Sequence, residues 1–546
     1  MNEKEFNLID EPWIRVMDGS CKVVEVSLLD AIVNAQKYKR LSGELPTQDV
    51  AVMRLILAVL HTVVSRYDCN GEYEVLENKK KEALKRWKGL WEQGYFPENA
   101  VREYLEQWHE RFWLFHSDRP FYQISQTAMD SIITNQKRIL LSKFNGEISE
   151  SANKINFFSI ASGKEKESLN YSEATRWLIS MNSFDDTFIK PQGKDLESAS
   201  VGWVGSLGVT YLLGNNLFET LMLNLVLINK DDVECEQNPL WEKDEICEKE
   251  RVKIGMPNNL AELYTIQSRR VHLYRENGEI KFFHNIAGDL LSVDNAFREP
   301  MTIWHIANKE GTVSKPMKHN APTQMWREFS VLYQKEKNQR AGVVEWYKNY
   351  LYGKGLIKKS DFLKTAIVAV EYDTSSAHKI INYFSDSLSM HSEILSDIGA
   401  DWRSDIETEI QHCESLAYEI GKLAQNLYVA SGGDNSPKNK IFTELPDKVK
   451  EQLYYRLDMP FRKWLLSINP DAMGQSRYDI IKKWQDEARK IAADYADELM
   501  ENTAECALIG HVIKGEKKNE IYSAPKAKNV FYSNVNKIYE RSDKNE

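Results

Sequence analysis

Hydrophobic and polar positions follow two different periods along this chain. In the N-terminal part, short apolar or alternating runs are separated by turn residues, as where Asp18 and Gly19 divide the segment 6–32. Alternation with a period of two predicts β-strands, and Asp-Gly or Asn-Gly between two such runs predicts a hairpin. The same signal recurs at Asn277–Gly278, and the apolar run 362–372 predicts a further strand.

Helical periodicity is interspersed among these strands. The segment GELPTQDVAVMRLILAVLHTVV (43–64) contains, after Pro46 and a Thr47 cap, a helical pattern that is apolar on nearly every side, which predicts a helix that is buried on most of its faces. Further helices are predicted at 76–93, 98–109 and 217–228. Asn216 and Glu219 form a capping pair for the last of these.

Beyond about residue 390 the pattern changes to long amphipathic helices with few strand-forming residues. These helices are predicted near 392–430, 446–467, 476–503 and 526–541. Four helices joined by turns rich in Pro, Gly and Asn predict an up-and-down bundle. The predicted fold class is therefore α+β: a mixed α/β N-terminal domain over 1–380, a boundary at about 376–390, and an all-α four-helix bundle over 390–546.

Composition and charge narrow the class of protein. With 546 residues, of which 42% are hydrophobic, the chain is long and apolar enough for several globular domains. Its formal net charge of −10 argues against coating nucleic acid by bulk attraction, so any such contact must come from local basic loops or from a basic partner. The N-terminus lacks an apolar signal-peptide core, and the apolar segment 50–64 is interrupted by Arg54 and His61. We therefore expect a soluble cytoplasmic protein without a membrane segment.

The glycine run Gly202, Gly205, Gly208 and Gly214 raises the question of a phosphate-binding loop. Its spacing fits neither a Walker loop nor a dinucleotide fingerprint, so backbone bends and close packing are the favoured interpretation. Motifs of zinc peptidases, serine hydrolases and two-metal nucleases do not occur, and the six cysteines form no C-x-x-C pair. The sequence predicts neither catalysis nor a metal or other cofactor, although an active site assembled from distant residues stays open.

Two polar loops carry the strongest binding signal. In the first, Lys164 and Lys166 follow an Asn156-Phe157-Phe158 stretch, so an aromatic ring could stack while the lysines approach phosphates. The second, 185–195, contains Lys190 and Lys194. Two basic loops that flank one short helix could face one groove. Because lysines are common in surface loops, a purely solvated role stays the alternative.

Several separated segments together resemble one known family. They are NLIDEPWIRV near the start, RLSGELPTQDVAVMRLILAVLH at 40–61, FWLFHSDRPFYQ at 112–123, SEATRWLISMNSFDDTFIK at 172–190, VGWVGSLG and LLGNNLFETLMLN within 201–224, and TIQSRRVHLY at 265–274. These segments resemble the large subunit of the type I-E CRISPR Cascade complex, the CasA family. The resemblance runs in order over 1–375, and the helical remainder agrees by architecture.

The resemblance implies a non-enzymatic role in RNA-guided antiviral surveillance. A large subunit of this family lies at the 5′ handle of the CRISPR guide RNA, recognises the protospacer-adjacent motif in double-stranded target DNA, and starts the strand separation that forms the R-loop. It then helps to recruit a helicase-nuclease. The implied partners are the other Cascade subunits, including the small subunits, the guide RNA and duplex DNA, and no membrane is implied.

The resemblance also assigns site residues by position. The family's guide- or subunit-contacting loop corresponds to Asn156, Phe157, Phe158, Ser159, Lys164 and Lys166. Its motif-reading loop corresponds to Thr187, Phe188, Ile189 and Lys190, with Lys194 nearby, and its wedge corresponds to Thr374, Ser375 and Ser376. Bulky residues replace the glycines that some members carry in the reading loop, so we expect relaxed motif specificity in a minor groove whose pattern is already degenerate. Because serines are short, Tyr372 or His378 is expected to assist the wedge, or flanking contacts are expected to take over its role.

Two other functions stay open at this point. One is a scaffold that bridges subunits and leaves DNA to its neighbours, and the other is a hydrolase or nuclease with an unrecognised site.

Overall fold

The structure, a computed structural model, describes most of the chain. The described residues are 4–132, 138–144, 168–186, 201–243, 253–254, 257–291, 299–319, 323–333, 338–358, 362–373, 380–471, 476–513 and 520–540.

Strands and helices are interleaved up to residue 391 and helices dominate afterwards. The strands are β1 (Glu5–Asn7), β2 (Ile14–Asp18), β3 (Val23–Val26), β4 (Tyr38–Leu41), β5 (Trp113–Phe115), β6 (Ile139–Leu140), β7 (Val209–Leu213), β8 (Ile228–Asn229), β9 (Asp232–Val233), β10 (Lys253–Ile254), β11 (Arg269–Glu276), β12 (Glu279–Ala287), β13 (Leu290–Leu291), β14 (Trp304–Ile306), β15 (Ser314–Pro316), β16 (Asn338–Gln339), β17 (Phe362–Tyr372), β18 (Ile380–His391), β19 (His511–Ile513) and β20 (Glu520–Tyr522). The helices are α1 (Leu28–Val33), α2 (Pro46–Arg66), α3 (Lys80–Gln93), α4 (Glu98–Gln107), α5 (Gln126–Ile132), α6 (Tyr171–Phe184), α7 (Leu217–Asn224), α8 (Leu260–Tyr264), α9 (Gly342–Trp346), α10 (Ala400–Ala430), α11 (Lys440–Ser467), α12 (Arg477–Glu501), α13 (Cys506–Ile509) and α14 (Ala524–Glu540).

The chain divides into two compact units. The first unit comprises Met1–Thr323, Val331–Lys358 and Lys364–Ser387, and the second comprises Gln324–Ser330, Lys359–Leu363 and Leu388–Glu546. The first unit mixes helices and strands, whereas the second contains the four long helices α10, α11, α12 and α14. This arrangement confirms the predicted α+β fold class.

Helix α2 forms the core of the first unit. It is long and apolar enough to cross a membrane, but its apolar window is 94% buried inside the fold, as expected for a helix without a polar face. Its Arg54 side chain is also buried, and it donates to both carboxylate oxygens of Glu299 at 2.8 and 2.9 Å. A guanidinium buried at this depth needs such a bidentate partner, because otherwise its desolvation would be uncompensated.

Three small sheets organise the strands that matter for function. The hairpin β11–β12 turns at Asn277 and Gly278, whose φ angles of 54° and 82° fit the predicted Asn-Gly turn, and β6 extends this sheet. A second sheet has the order β18-β17-β7, in which Ala366 lies opposite Tyr211. The third has the order β3-β2-β4 and contains the predicted Asp18–Gly19 hairpin.

The second unit buries aromatic side chains between its long helices. The rings of Trp464 on α11 and Trp484 on α12 stack at 5.4 Å, and Phe461 meets Trp484 edge-on at 5.1 Å. The short segment 324–330 belongs to this core, since Trp326 stacks on Phe461 at 4.3 Å. Its indole N–H also donates to Asp458 at 2.9 Å.

Some predicted element boundaries were wrong. Helix α7 ends at Asn224 instead of 228, and α11 begins six residues before the predicted start, capped by Asn439, so that Pro446 lies inside it. Helix α10 begins at Ala400, because the first residues of the predicted helix form a short 3₁₀ turn, Ser392–Leu395, directly after β18. Strand β18, unpredicted from the sequence, also occupies most of the expected boundary segment. The division into 1–380 and 390–546 stays a prediction.

Candidate nucleic-acid interface

The predicted binding residues all lie outside the described residues. These are Asn156, Phe157, Phe158, Ser159, Lys164, Lys166, Thr187, Phe188, Ile189, Lys190, Lys194, Thr374, Ser375 and Ser376, together with His378. The structure does describe the residues that flank these segments in the chain. We call 187–200 the reading segment, 374–379 the wedge segment and 145–167 the guide-facing segment.

The residues before the reading segment form the end of α6 and the short stretch after it. This helix begins with a capping box in which Asn170 accepts from the Glu173 N–H at 2.9 Å, and it ends at Phe184. The next residue, Asp185, accepts from Arg269 Nε at 2.5 Å and from Asn285 Nδ2 at 3.1 Å. Because Arg269 is itself buried on β11, this ion pair fixes the start of the reading segment to the sheet.

The reading segment returns next to its own starting point. The Gly202 N–H donates to the carbonyl oxygen of Asp185 at 2.9 Å, so the residues that flank the segment on its two sides are joined by a backbone hydrogen bond. A β-carbon at Gly202 would collide with the backbone of Ser183 and Phe184. Only glycine allows this close approach, which confirms that the glycine run serves packing.

Trp203 anchors the returning chain in the core of the first unit. Its backbone N–H donates to Ser268 Oγ at 3.1 Å, and its indole N–H donates to Glu299 Oε2 at 3.3 Å. Glu299 is the partner of the buried Arg54 on α2. The end of the reading segment is therefore connected to the core helix through one fully buried carboxylate.

The wedge segment begins beside the same site. Tyr372, the last residue of β17, donates its hydroxyl hydrogen to the carbonyl oxygen of Phe184 at 2.6 Å. A β-carbon at Gly205 would collide with this hydroxyl, so the glycine provides the space for it. Burial raises the pKa of Tyr372 well above its usual value, and the group stays a neutral donor. One hydrogen bond thus links the starts of the reading and wedge segments.

Lys318 is a cation that the sequence reasoning missed. Its ammonium lies 5.2 Å from the centroid of the Tyr372 ring, within the range of a cation–π contact. The side chain is exposed, yet desolvation around its ammonium lowers the pKa of Lys318 below the usual value for lysine. A sequence signal did exist, because Lys318 belongs to the K-P-M-K-H stretch, but only the fold places it next to Tyr372, two residues before the wedge segment.

The residues on both sides of the guide-facing segment contact strand β12. Before it, Phe144 packs on Phe283 with ring centroids 5.0 Å apart. After it, Leu169 and Ile280 exchange two backbone hydrogen bonds of 2.9 and 3.0 Å. Leu169 lies two residues before α6, so the guide-facing segment precedes this helix of about 21 Å and the reading segment follows it.

In the basic helix α3, Lys80 and Lys88 form ion pairs and Arg86 is buried, whereas Lys81 and Lys85 lie on its exposed face. Lys80 pairs with Asp231 at 2.5 Å and Lys88 with Glu92 at 3.5 Å. Arg86 is buried and donates to the carbonyl oxygens of Val64 and Glu74 at 2.9 and 2.8 Å. These contacts match the solvated helix face that is the common role of such charge patterns. Among the described residues, no group of three His, Cys, Asp or Glu side chains is placed to hold a metal ion.

Comparison with known proteins identifies the family. The family model described as CRISPR-associated protein Cse1 matches residues 7–495. A curated relative from Thermus thermophilus, named CRISPR-associated protein CasA/Cse1, is 25% identical over 482 residues, covering 86% of this chain and 88% of the relative.

Solved structures agree with this fold over nearly the whole chain. The crystal structure of Thermobifida fusca Cse1 has a TM-score of 0.78 at 24% identity, covering 98% of both chains. A chain of a structure titled CRISPR RNA-guided surveillance complex has a TM-score of 0.65 at 17% identity and covers 90% of this chain and 99% of its own length. Since the family model spans most of its length, this chain belongs to the CRISPR-associated protein Cse1 family.

Proposed function

We propose that this protein is the large, non-catalytic subunit of a type I-E RNA-guided surveillance complex in the cytoplasm. In this proposal it contacts the 5′ handle of the guide RNA and the other subunits through the guide-facing segment. It recognises a short motif in duplex DNA with the reading segment and begins strand separation with the wedge segment. A separate helicase-nuclease is recruited once the R-loop has formed.

The observation that carries the proposal is the junction of the reading and wedge segments. The Asp185–Gly202 backbone bond closes the base of the first, and the Tyr372–Phe184 bond attaches the start of the second to it. A protein that recognises a motif and opens the adjacent base pair needs a motif-reading segment and a wedge at a fixed separation. Ion pairs and buried polar contacts make this common base rigid, as binding sites require.

The charge of the protein is compatible with this role. A chain with a net charge of −10 cannot hold a long duplex by itself, but a subunit that touches a few phosphates needs only local cations. Lys190 and Lys194 in the reading segment, and Lys318 beside the wedge segment, would supply them. Base pairing with the guide supplies the sequence specificity of the complex as a whole.

Charge reversal of the reading segment tests the proposal. We expect Lys190→Glu with Lys194→Glu to weaken binding of target duplex by the assembled complex and to reduce the slope of log K against log salt by about two, one for each lost phosphate contact. The measurement is a salt titration of duplex binding with the complete complex. Lys81→Glu with Lys85→Glu, on the exposed face of α3, makes the same change of net charge and should leave the slope unchanged.

The alternatives give different results in the same preparations. If the reading-segment variant assembles normally and binds duplex with an unchanged salt slope, the protein is a scaffold. If the isolated chain cleaves nucleic acid, and a chelator abolishes that cleavage, the protein is an enzyme with an unrecognised site.

A further inference from the structure

One turn of the first unit has no role in the interface described above. It follows β5 within the segment FWLFHSDRPFYQ at 112–123. His116 Nδ1 accepts from the Arg119 N–H at 3.1 Å, and Gln123 Oε1 accepts from the Leu273 N–H of β11 at 2.9 Å. Both sides of the turn are therefore held in place, and the backbone of Arg119 has a fixed position.

The backbone of this turn is strained at Tyr122. Its φ angle of 55° lies in the left-handed region, which a bulky residue rarely adopts. The Tyr122 ring stacks on Phe121 at 4.6 Å, and Phe121 stacks on Phe112 at 5.1 Å. Backbone strain of this kind persists only where the surrounding fold enforces it, and it is concentrated at binding and active sites.

A small cavity lies beside the turn. Its volume is about 30 Å³, and Arg119, Phe121 and Tyr122 from the turn share its walls with Trp241 and Gln267. A space of about 10–15 Å³ is enough for one water molecule. The cavity therefore admits a hydroxyl group or another group of that size, and it has no room for a nucleobase.

Gln267 presents an unsatisfied acceptor to this cavity. The residue is 3% exposed, and its side-chain oxygen Oε1 has no hydrogen-bond partner among the residues that the structure describes. Its main chain is fixed, because the Gln267 carbonyl oxygen accepts from Arg270 Nη1 at 2.9 Å and from the Asp289 N–H at 2.8 Å. A buried acceptor without a donor is unfavourable, so a ligand that fits here brings an O–H or N–H group.

The charge of the cavity lining comes from arginine. Arg111 and Arg119 contribute guanidinium groups, and none of the described residues that line the cavity carries a carboxylate. Because Arg111 has contacts elsewhere, we count only Arg119 as a cation for a ligand. Arg119 is exposed and forms no ion pair with any described residue, and its neighbour Asp118 lies outside the lining. Such a guanidinium group matches the paired oxygens of a phosphate.

These two requirements select one ligand chemistry. A phosphodiester or carboxylate group alone would satisfy Arg119 but leave Gln267 unpaired, since it has no hydrogen to donate. In a ribonucleotide the 2′-hydroxyl lies next to the 3′-phosphate and is both a donor and an acceptor. We infer that the cavity receives the 2′-hydroxyl of a nucleotide in single-stranded RNA, with the adjoining phosphate on Arg119. The inference rests on the proposed function, in which the protein contacts the guide RNA, and it adds a contact outside the guide-facing segment that distinguishes RNA from DNA.

Fluorescence anisotropy with the isolated full chain tests the site. The probes are a labelled oligouridylate and the oligodeoxyuridylate of the same length, which differ only in their 2′-hydroxyl groups. We expect the RNA to bind about five- to ten-fold more tightly, because the DNA strand leaves Gln267 unpaired. Equal affinities for the two strands, or no binding of the RNA by the wild type, overturn the proposal.

Two substitutions separate the hydroxyl contact from the phosphate contact. Gln267→Met keeps the size of the side chain and removes its acceptor, so the RNA affinity should fall to the DNA value while the DNA affinity stays unchanged. Arg119→Gln should weaken both strands and reduce the slope of log K against log salt by about 0.7, the value for one phosphate of a single strand. Arg102→Gln, at an exposed arginine on α4 outside the cavity lining, is the matched control and should change neither the affinities nor the slope.

An RNA preference that is the same in Gln267→Met and in the wild type overturns the assignment of the hydroxyl group. Should Gln267→Met fail to fold, the exposed position Arg119 still decides, because an Arg119→Gln variant with the RNA affinity and salt slope of the wild type overturns the proposal as well.

Competition with uridine 3′-monophosphate distinguishes an RNA strand from a free nucleotide. We expect the strand to bind at least about ten-fold more tightly, because neighbouring nucleotides add contacts. The reverse order would assign the same chemistry to a free nucleotide and overturn the assignment to RNA. The probes contain no duplex, so a negative result removes this site and leaves the proposed function, which fails instead if the reading-segment variant leaves the salt slope of duplex binding unchanged.

Discussion

Tyr372 connects the residues that precede the reading and wedge segments through a single hydroxyl. Its bond to the Phe184 carbonyl oxygen is short, at 2.6 Å, and the space around it depends on Gly205 having no side chain. A buried carbonyl that loses its donor is left unsatisfied, which costs more than the net value of an ordinary hydrogen bond.

We therefore expect Tyr372→Phe to lower the free energy of unfolding of the first unit by about 1–2 kcal/mol. It should also slow or weaken the opening of target duplex by the assembled complex, because the two segments are no longer held together. Denaturant unfolding and a fluorescent assay of strand separation measure the two effects. Tyr478→Phe, at a side chain that is 62% exposed, should change neither quantity.

Lys318 provides a pH-dependent test of the interface. Desolvation lowers the pKa of its ammonium, so Lys318 loses its charge at a lower pH than an ordinary lysine does. If it contacts a phosphate, duplex binding by the complex should weaken as the pH rises toward that lowered pKa, and Lys318→Gln should reduce the salt slope by about one.

Arginine stays charged over the same range, so Lys318→Arg should retain binding and remove the pH dependence. Lys309→Gln, at an exposed lysine in the loop before β15, is the control for a loss of charge alone. Equal pH profiles of the wild type and Lys318→Arg would exclude Lys318 from the interface.

At the scale of elements, α2 illustrates how a buried helix contains ionisable groups. His61 is fully buried, with its ring 5.9 Å from the ring of Tyr264, and neither ring nitrogen has a hydrogen-bond partner among the described residues. Burial lowers the pKa of His61 to about 3, so the folded protein holds it neutral. The unfolded chain takes up a proton below about pH 6.5, the usual value for histidine.

The pH dependence of stability follows from this difference. Between about pH 3 and pH 6.5 the unfolded state binds one more proton at His61, so the contribution of this residue to stability increases with pH. We compare the unfolding free energy of the wild type with that of His61→Leu. The value for the wild type minus the value for the variant should increase by about 1.4 kcal/mol between pH 5 and pH 6. A difference that is constant with pH would mean that His61 is charged in the folded protein.

Elements with strong local signals were predictable from the sequence. The Asn277–Gly278 turn, the strand 362–372 and the bundle helices follow from turn chemistry and periodicity, which act over a few neighbouring residues. Strand β18 was missed, because its polar residues in NYFSDSLS do not alternate clearly with apolar ones. A strand of this kind is specified by its pairing with β17, which a local pattern does not contain.

The candidate site was predictable only as a set of segments. The lysines and aromatic residues drew attention to the loops, but their grouping depends on Arg269, Tyr372 and Lys318, which are distant in sequence from one another and from the reading segment. Contacts over such separations follow from the tertiary fold.

At the scale of the whole molecule, the two units are not two consecutive pieces of chain. The segment 324–330 lies far upstream of the bundle helices, yet Trp326 stacks on Phe461 and donates to Asp458. A truncation placed only by sequence position would therefore leave behind a residue that belongs to the removed core.

This arrangement predicts how a truncated chain behaves. A chain of residues 1–387 should fold, but it should self-associate because the Trp326 indole has lost its cover. Trp326→Ser should restore a monomer in the truncated chain. In the full chain the same substitution should lower the unfolding free energy of the second unit by about 3–5 kcal/mol, the usual cost of removing a buried aromatic side chain. Light scattering and calorimetry distinguish these effects. If the truncated chain is monomeric with Trp326 in place, the segment 324–330 does not depend on the bundle for its burial.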